Sequence, residues 1–201
     1  MMVGSNGWSR AILPWLTAES IGAEIGVWRG DSSQLFLMCP IKELHLVDSW
    51  HLDAYRDALD KDKEFRKKFF ERYKDIVGGV TSRHFLKYYD QVYKEVVERF
   101  SNEPRAIIYR MTSDEWFEDR ETNSLDWIYL DGSHKYEGVK KDLINALRVV
   151  KPGGNIFGDD YSWRIGGPGK PGVTQAVNEV VEENSLTLIQ HGPTQIHIPV
   201  E

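Results

Sequence analysis

Short apolar runs alternate along the chain with amphipathic stretches of helical periodicity. The runs are four to six residues long and are bounded by turn-forming residues, which is typical of buried strands. The predicted strands are residues 23–27, 44–48, 106–109, 126–131 and 155–158, the last one entered through the turn Lys151-Pro152-Gly153-Gly154. A helix is predicted over residues 32–38. One apolar helix face is predicted for Val139, Leu143, Ala146, Leu147 and Val150, and another for Val173, Ala176, Val177, Val180 and Val181.

Strands that alternate with helices predict right-handed βαβ units and a parallel sheet covered on both faces. The end of the chain departs from this rhythm, because two strand-like runs, 185–190 and 195–200, are joined by His191-Gly192-Pro193-Thr194. That pattern indicates a hairpin, so the last strand is expected to insert antiparallel. We therefore expect an α/β fold in one domain, residues 1–201, with a doubly wound, mostly parallel sheet of seven strands and an antiparallel C-terminal hairpin.

The stretch after the second strand, about residues 51–100, shows helical character without a strand signal and is predicted to be a helical insertion. The glycine-rich loop 161–172 is long enough to serve as a lid or substrate loop. Aromatic side chains in these parts would suit the walls of an acceptor site, but packing of the helices on each other and on the sheet is the better explanation for most of them. They are Trp50, Tyr55, Phe65, Phe69, Phe70, Tyr73, Tyr88, Tyr89, Tyr93 and Trp163.

Composition narrows the class of protein. With 201 residues, 41% hydrophobic and 28% charged, the chain has the balance of a globular protein. Its net charge of −6 argues against a nucleic-acid partner. No apolar stretch reaches the ~20 residues of a membrane span, no secretory signal is visible, and the single cysteine, Cys39, indicates a reducing compartment. We expect a cytoplasmic protein without a membrane partner, and the sequence leaves open whether it forms a homo-oligomer.

The first candidate ligand motif is Glu24-Ile25-Gly26-Val27-Trp28-Arg29-Gly30, which ends a strand and opens a helix. Gly26 and Gly30 would let a ligand approach the backbone. The spacing is not G-x-G-x-x-G, which disfavours a dinucleotide and hence a nicotinamide dehydrogenase, whereas Glu24 suits a cationic sulfonium ligand. Asp48 ends the second strand, where a carboxylate can accept the hydroxyl hydrogens of a ribose. An ordinary strand–turn–helix and a solvated strand-end aspartate are the structural alternatives.

The turn Met111-Thr112-Ser113-Asp114 follows the third strand. In this architecture it lies beside the ligand crevice and could supply backbone and hydroxyl contacts to an adenine. Thr112 or Ser113 could equally cap the following helix, and both roles can hold at once.

The most specific pattern is a pair of motifs after the fourth and fifth strands, Asp131-Gly132-Ser133-His134-Lys135-Tyr136 and Gly158-Asp159-Asp160-Tyr161. Carboxylates at the ends of neighbouring parallel strands project into one crevice, where they repel each other unless a cation neutralises them. Oxygen ligands favour Mg²⁺ or another hard divalent cation. His134, three residues beyond Asp131, is placed to take a proton from a substrate hydroxyl.

The order of these motifs resembles class I S-adenosylmethionine-dependent methyltransferases. More narrowly, it is similar to the small family grouped with the macrocin-type sugar O-methyltransferases and their catechol O-methyltransferase-like relatives, from about residue 23 to residue 200. The resemblance implies that Glu24 and Gly26 line the methionine end of the cofactor, that Asp48 holds its ribose, and that the Ser113 turn sits by its adenine. It also implies that Asp131, Asp159 and Asp160 hold Mg²⁺ and that His134 serves as general base. The cofactor-binding set predicted on this basis is Glu24, Gly26, Trp28, Gly30, Asp48, Ser49, Thr112, Ser113 and Asp131, and the catalytic set is His134 and Asp131.

These expectations define a reaction and its rivals. The chain is expected to transfer a methyl group from S-adenosylmethionine to a hydroxyl of a small molecule, a sugar or a phenol, with a metal ion holding the hydroxyl. A second hypothesis keeps the cofactor without the metal, and a third is a binding protein that kept the fold and lost the chemistry. The extra N-terminal domain of the macrolide enzymes is not recognisable here, so the acceptor stays undetermined.

Overall fold

Seven strands form one mixed sheet in the computed structural model, which describes residues 9–52, 63–162 and 172–201. The strands are β1 (Ile21–Ile25), β2 (Glu43–Asp48), β3 (Ala106–Arg110), β4 (Leu125–Leu130), β5 (Val150–Gly158), β6 (Ile189–His191) and β7 (Gln195–Pro199). Their order is β3-β2-β1-β4-β5-β7-β6. The first five strands run parallel, and β7 pairs antiparallel with both β5 and β6. The predicted doubly wound fold with an antiparallel C-terminal hairpin is confirmed.

Helices cover both faces of the sheet, since each face carries its own apolar cluster. The helices are α1 (Asp31–Leu37), α2 (Lys63–Val77), α3 (Ser82–Arg99), α4 (Ser113–Glu118), α5 (Tyr136–Val149) and α6 (Val173–Glu183), preceded by a 3₁₀ helix (Ser9–Trp15). Helices α4, α5 and α6 contribute Phe117, Leu143 and Val177 to one cluster, while α1 and α3 contribute Phe36 and Val96 to the other. None of the described helices is both long and apolar enough to cross a membrane.

Several boundaries differ from the predicted ones: β1 begins and ends two residues earlier than predicted, and the largest differences are in β5 and β6. The turn residues 151–154 belong to β5, which bulges there and shifts its register against β4. Backbone bonds from this bulge to Val200 keep it attached to the end of β7. The run 185–190 was predicted as a strand, but only its last two residues enter β6, because Leu186 and Leu188 pack on the apolar cluster instead of pairing. Val150, predicted on a helix face, is the first residue of β5.

The region between β2 and β3 contains helices α2 and α3. Phe69 and Phe70 of α2 pack against Phe85 of α3, so these aromatics serve contact between the two helices. Cys39 packs as a small apolar side chain against the cluster on the α1 and α3 face. Tyr55, Trp163, the side chain of Phe65 and residues 163–171 of the predicted lid loop lie outside the described residues.

His197 on β7 is an unusual component of the sheet, since its side chain is fully buried. The ring stacks on Phe157, its centroid lies 4.6 Å from that of Trp15, and Nε2 lies 2.7 Å from Asn155 Oδ1. Burial, with a smaller contribution from the neighbouring charge of His191, lowers the pKa of His197 to about 4. The fold therefore holds this imidazole neutral.

The burial of His197 predicts a loss of stability in mild acid. Since its folded-state pKa lies below the unfolded value near 6.5, the unfolded chain binds more protons between pH 6.5 and pH 4, and the free energy of unfolding falls as the pH drops through that window. The contribution is at most about 3 kcal/mol. His197→Gln keeps a donor for Asn155 and does not titrate, so urea unfolding at pH 7 and pH 5 should show a smaller loss for this variant. The exposed control His84→Gln should keep the wild-type loss, and an equal loss in both variants would contradict the prediction.

Candidate functional site

The strand order reverses between β1 and β4, so a crevice opens at the carboxyl ends of these two strands. Asp131 N–H donates to the carbonyl of Ile25 at 2.8 Å, and Gly26 N–H donates to the carbonyl of Val47 at 2.8 Å. Gly26 has φ +93°, and a Cβ atom there would lie 2.2 Å from the carbonyl oxygen of Asp131. A side chain at residue 26 is therefore incompatible with the contact that joins the ends of β1 and β4.

Glu24 lies in β1 beneath this crevice and is only 1% exposed. Its carboxyl accepts a hydrogen bond from the hydroxyl of Ser33 on α1. Burial raises the pKa of Glu24 to about 8, the Ser33 bond opposes the shift, and the nearby charges of Asp48 and Asp31 add to it. The structure thus places the predicted methionine-end residue under the crevice floor as a carboxyl that favours its protonated form.

Asp48 at the end of β2 holds two tryptophans of the crevice rim. Its Oδ2 accepts the backbone N–H of Trp28 at 2.8 Å, and its Oδ1 accepts that of Trp50 at 2.7 Å. The indole N–H of Trp50 donates to the carbonyl of Trp28 at 2.8 Å, which closes the loop. Burial raises the pKa of Asp48, and these backbone N–H groups oppose the shift. Ser49, also in the predicted cofactor set, is half-buried between Asp48 and Trp50.

Both tryptophans have left-handed backbones, with φ +47° at Trp28 and +41° at Trp50, a conformation that bulky residues adopt only when their surroundings enforce it. Trp50 is buried in the apolar cluster, whereas the ring of Trp28 is 44% exposed. The indole N–H of Trp28 donates to the hydroxyl of Tyr88 on α3 at 3.1 Å. Gly30, with φ +76°, lies against the ring of Phe100. The insertion therefore packs directly on the turn that follows β1.

The turn before α4 is fixed from two sides. The hydroxyl of Thr112 accepts the N–H of Glu115 and the carboxylate of Glu115 accepts the N–H of Thr112, a capping box that confirms the predicted helix cap. Ser113 hydrogen-bonds through its side chain to the carboxyl of Asp142, which is buried in α5. Burial raises the pKa of Asp142 to about 7, and the Ser113 bond opposes the shift. The predicted adenine turn is thereby tied to the neighbouring helix.

Asp131, His134 and Asp160 form the group at the mouth of the crevice. Nε2 of His134 lies 2.5 Å from Oδ2 of Asp160 and 4.0 Å from Oδ1 of Asp131. One ligand atom from each of the three lies within 4.8 Å of the others. The pKa of Asp131 is raised well above its usual value, first by burial and then by the charges of Asp159, Asp160, Glu24 and Asp48. An imidazole and two carboxylates thus meet at a point of high negative potential.

Asp159 was predicted with Asp131 and Asp160 as a metal ligand, but its carboxylate contacts Tyr129 and the backbone of Asp160 instead of His134. Its Oδ2 accepts the hydroxyl of buried Tyr129 at 3.1 Å, and its Oδ1 accepts the backbone N–H of Asp160 at 2.8 Å. Its side chain is largely buried, while those of Asp131 and Asp160 are 26% and 33% exposed. The structure therefore groups His134 with Asp131 and Asp160, and places Asp159 behind them.

Comparison with known proteins agrees with this geometry. Residues 23–161, well over half of the chain, match the family model for a methyltransferase domain. The chain belongs to this family of methyltransferases. With the seven-stranded sheet, the match confirms the class I S-adenosylmethionine-dependent methyltransferase class expected from the motifs. A search of curated protein sequences finds no match to this chain.

Solved structures share its fold at low sequence identity. A Klebsiella pneumoniae protein assigned as an O-methyltransferase has a TM-score of 0.62 at 14% identity, covering 100% of this chain and 81% of that one. Streptococcus mutans SMU.1697c, assigned as a methyltransferase and solved with S-adenosylhomocysteine, has a TM-score of 0.61 at 12% identity, with 99% of each chain covered. The O-methyltransferase NovP has a TM-score of 0.54 at 18% identity, covering 97% of this chain and 77% of that one.

Several residues that shape the methyltransferase site were not found by sequence reasoning. Ser33 and Asp142 are polar positions on buried helix faces, a signal that was available in the apolar periodicity of α1 and α5. Tyr129 and Gln195 are fully buried in β4 and β7 and hydrogen-bond to each other at 2.9 Å. No spacing within the sequence indicates that pair, because only the hairpin insertion brings β7 beside β5 and so within one strand of β4.

The buried Glu24 predicts that the methyltransferase loses stability as the pH rises. Its folded-state pKa near 8 lies above the unfolded value near 4.5, so its contribution is complete below pH 4.5 and is lost as the pH approaches 8. The loss is at most about 5 kcal/mol. Glu24→Gln should remove much of the difference in unfolding free energy between pH 5 and pH 8, measured by urea titration. The exposed control Glu182→Gln should behave like the wild type, and a wild-type pH dependence in Glu24→Gln would refute the prediction.

The bonds to Asp48 predict that its amide variant weakens the rim of the crevice. In Asp48→Asn one acceptor oxygen becomes a donor group, so Trp28 or Trp50 loses the partner of its backbone N–H. A lost buried bond of this kind costs about 1–3 kcal/mol. Because the rim must then regain its binding geometry at that cost, the affinity for S-adenosylhomocysteine should fall about 5- to 150-fold. Calorimetric titration measures the affinity, with exposed Asp75→Asn on α2 as the control. Equal affinities in a folded Asp48→Asn protein would show that the two bonds do not shape the cofactor site.

Proposed function

We propose that this methyltransferase transfers the methyl group of S-adenosylmethionine to a hydroxyl oxygen of a small molecule. The observation that carries the proposal is the contact between His134 and Asp160 next to Asp131, at the crevice where the sheet order reverses. An imidazole oriented by a carboxylate is a suitable acceptor for a hydroxyl proton. The O-methyltransferases named among the structural neighbours are consistent with an oxygen acceptor.

The proposed cofactor lies across the ends of β2, β1 and β4. Asp48 binds the ribose, since a carboxylate oxygen that already accepts one N–H retains a second lone pair for a hydroxyl. The methionine end lies over the turn from Gly26 to Gly30, and the adenine lies by Thr112 and Ser113. The sulfonium charge is favoured here because the neighbouring carboxyl groups of Asp159, Asp160 and Asp48 give the crevice at Asp131 a negative potential.

In the proposed reaction the acceptor oxygen attacks the sulfonium methyl carbon in line with the breaking carbon–sulfur bond. The new carbon–oxygen bond forms as the electron pair of the old bond returns to sulfur, which leaves neutral S-adenosylhomocysteine. The hydroxyl proton passes to His134, whose ring Asp160 holds in place. The protein thus orients the reactants and removes one proton, while the cofactor supplies the leaving group.

A hard divalent ion such as Mg²⁺ fits the donor set of this site. The ligand atoms of Asp131, His134 and Asp160 lie close enough together for one ion, and carboxylate oxygens are its preferred ligands. Asp131 and Asp160 would hold it, whereas Asp159, the third predicted carboxylate, accepts from Tyr129 and from the backbone of Asp160 and lies outside this donor set. When bound, the ion would lower the pKa of the acceptor hydroxyl and orient it.

A metal-independent reaction is the second candidate, favoured by the 2.5 Å contact between His134 and Asp160. If Asp160 serves to orient the imidazole, proton transfer needs only His134 and Asp131. Both candidates share the cofactor and the acceptor class, a hydroxylated sugar or phenol, and both suit a cytoplasmic enzyme acting on small molecules. They differ only in whether added metal changes the rate.

The experiment supplies the purified protein with S-adenosylmethionine and a panel of hydroxylated sugars and catechols, and measures released S-adenosylhomocysteine. His134→Gln should lower kcat by about 10²–10⁴, the usual contribution of a general base. Its affinity for S-adenosylhomocysteine, measured by calorimetry, should stay within a few-fold of wild type, because His134 is not part of the proposed cofactor site. His84→Gln, on the exposed face of α3, should retain full activity.

The metal is tested in the same assay. Loss of turnover in EDTA that Mg²⁺ restores supports the metal-dependent reaction, and equal rates with and without EDTA support the second candidate. A wild-type protein that neither binds S-adenosylhomocysteine nor methylates any acceptor in the panel would overturn the proposed function, and would instead favour a binding protein of the same fold.

A further inference from the structure

A buried hydrogen-bond chain runs from β7 through β4 to the acidic end of β5. The side-chain amide of Gln195 donates to the hydroxyl of Tyr129 at 2.9 Å, and that hydroxyl donates to Oδ2 of Asp159 at 3.1 Å. Oδ1 of Asp159 accepts the backbone N–H of Asp160 at 2.8 Å. We propose that Tyr129 and Gln195 are positioning residues, which hold Asp159 and through it fix Asp160 beside His134 and Asp131.

The side chains of this hydrogen-bond chain are buried, and their polar groups are hydrogen-bonded to one another. Tyr129 and Gln195 are both 0% exposed, and Tyr129 packs in the apolar cluster on this face of the sheet. A buried hydroxyl or amide is costly unless it is hydrogen-bonded, and a buried carboxylate more so. An apolar pair would fill the same space without this cost, so the polar pair has a role beyond filling it.

The conformation of Asp160 indicates what that role is. Its backbone has φ +56°, a left-handed conformation that needs support from its surroundings in a residue other than glycine. Two backbone bonds give that support: Asp160 N–H donates to Asp159, and Tyr161 N–H donates to the carbonyl of Thr194 at 2.7 Å. Thr194 directly precedes Gln195, so the start of β7 holds the turn both through its backbone and through the Gln195–Tyr129–Asp159 chain.

The supported turn determines where the side chain of Asp160 lies. Because the turn is held in this way, Oδ2 of Asp160 lies 2.5 Å from Nε2 of His134. Partners that orient a reactive or ligating carboxylate typically change metal affinity or activity by about 10–100-fold when they are removed. The inference rests on the proposed function for its catalytic meaning, but the positioning itself is a property of the protein without cofactor, metal or acceptor.

The test exploits the histidines as reporters. Imidazole ¹⁵N signals of the protein alone, at one fixed pH, are assigned by single His→Gln variants. Tyr129→Phe removes only the hydroxyl, and it should shift the signals of His134 while leaving those of His45 unchanged. The matched control Tyr109→Phe removes a strand tyrosine hydroxyl that lies 3.2 Å from Nδ1 of His45, so it should shift His45 and leave His134 unchanged.

A second variant and a second measurement keep the proposal testable if Tyr129→Phe does not fold. Gln195→Met keeps the Tyr129 hydroxyl and removes its donor, so it should shift His134 in the same direction by a smaller amount. Titration with Mn²⁺ alone, followed by electron paramagnetic resonance, should show affinity about 10–100-fold weaker in Tyr129→Phe than in wild type, with affinity for S-adenosylhomocysteine within about twofold.

The outcomes separate this inference from the proposed function. Unshifted His134 signals in folded Tyr129→Phe and Gln195→Met would overturn the positioning role even if the wild type methylates its acceptor. Shifted His134 signals support it even if the wild type binds no S-adenosylhomocysteine, a result that would overturn the proposed function instead. If wild type binds Mn²⁺, equal affinity in Tyr129→Phe also counts against the positioning role.

Discussion

The close contact between the ends of β1 and β4 governs the rest of the site. It requires residue 26 to have no side chain, since a Cβ atom would lie 2.2 Å from the carbonyl oxygen of Asp131. The carboxyl groups that terminate neighbouring strands then lie close to one another, because parallel strands end at the same edge of a sheet. The charges of Asp159, Asp160, Glu24 and Asp48 all raise the pKa of Asp131. The backbone contact at Gly26 therefore also determines which charges surround Asp131.

The structure offsets this crowding differently at each carboxyl group. Glu24 favours its protonated form and accepts from Ser33, whereas Asp48 accepts two backbone N–H groups. Asp159 accepts one hydroxyl and one N–H, and Asp160 contacts His134. Within the described part of the chain, Asp131 has one basic side chain within 4.0 Å, the imidazole of His134. The remaining negative potential is therefore directed at the mouth of the crevice, where a sulfonium or a metal ion would relieve it.

How much of this was visible in the sequence depends on the range of the interactions. The five parallel strands and the grouping of Asp131, His134 and Asp160 could be predicted, because apolar runs mark buried strands and strand-end residues share one edge. The orientation of Asp159 could not, since it depends on a left-handed turn at the next residue and on a hydroxyl from another strand. The same holds for the start of β6, because Leu186 and Leu188 pack on the apolar cluster instead of pairing with β7.

The insertion between β2 and β3 is coupled to the cofactor turn by contacts that sequence patterns do not reveal. Tyr88 of α3 accepts from the indole of Trp28, and Arg99 donates to the carbonyl of Arg29 and to the carboxylate of Asp31. The rim that Asp48 fixes on one side is therefore held by α3 on the other. Since Trp28 and Trp50 adopt left-handed backbones, which their surroundings must enforce, neither side alone defines the rim. A change in the packing of α3 should thus disturb the turn that follows β1, over which the proposed cofactor would lie.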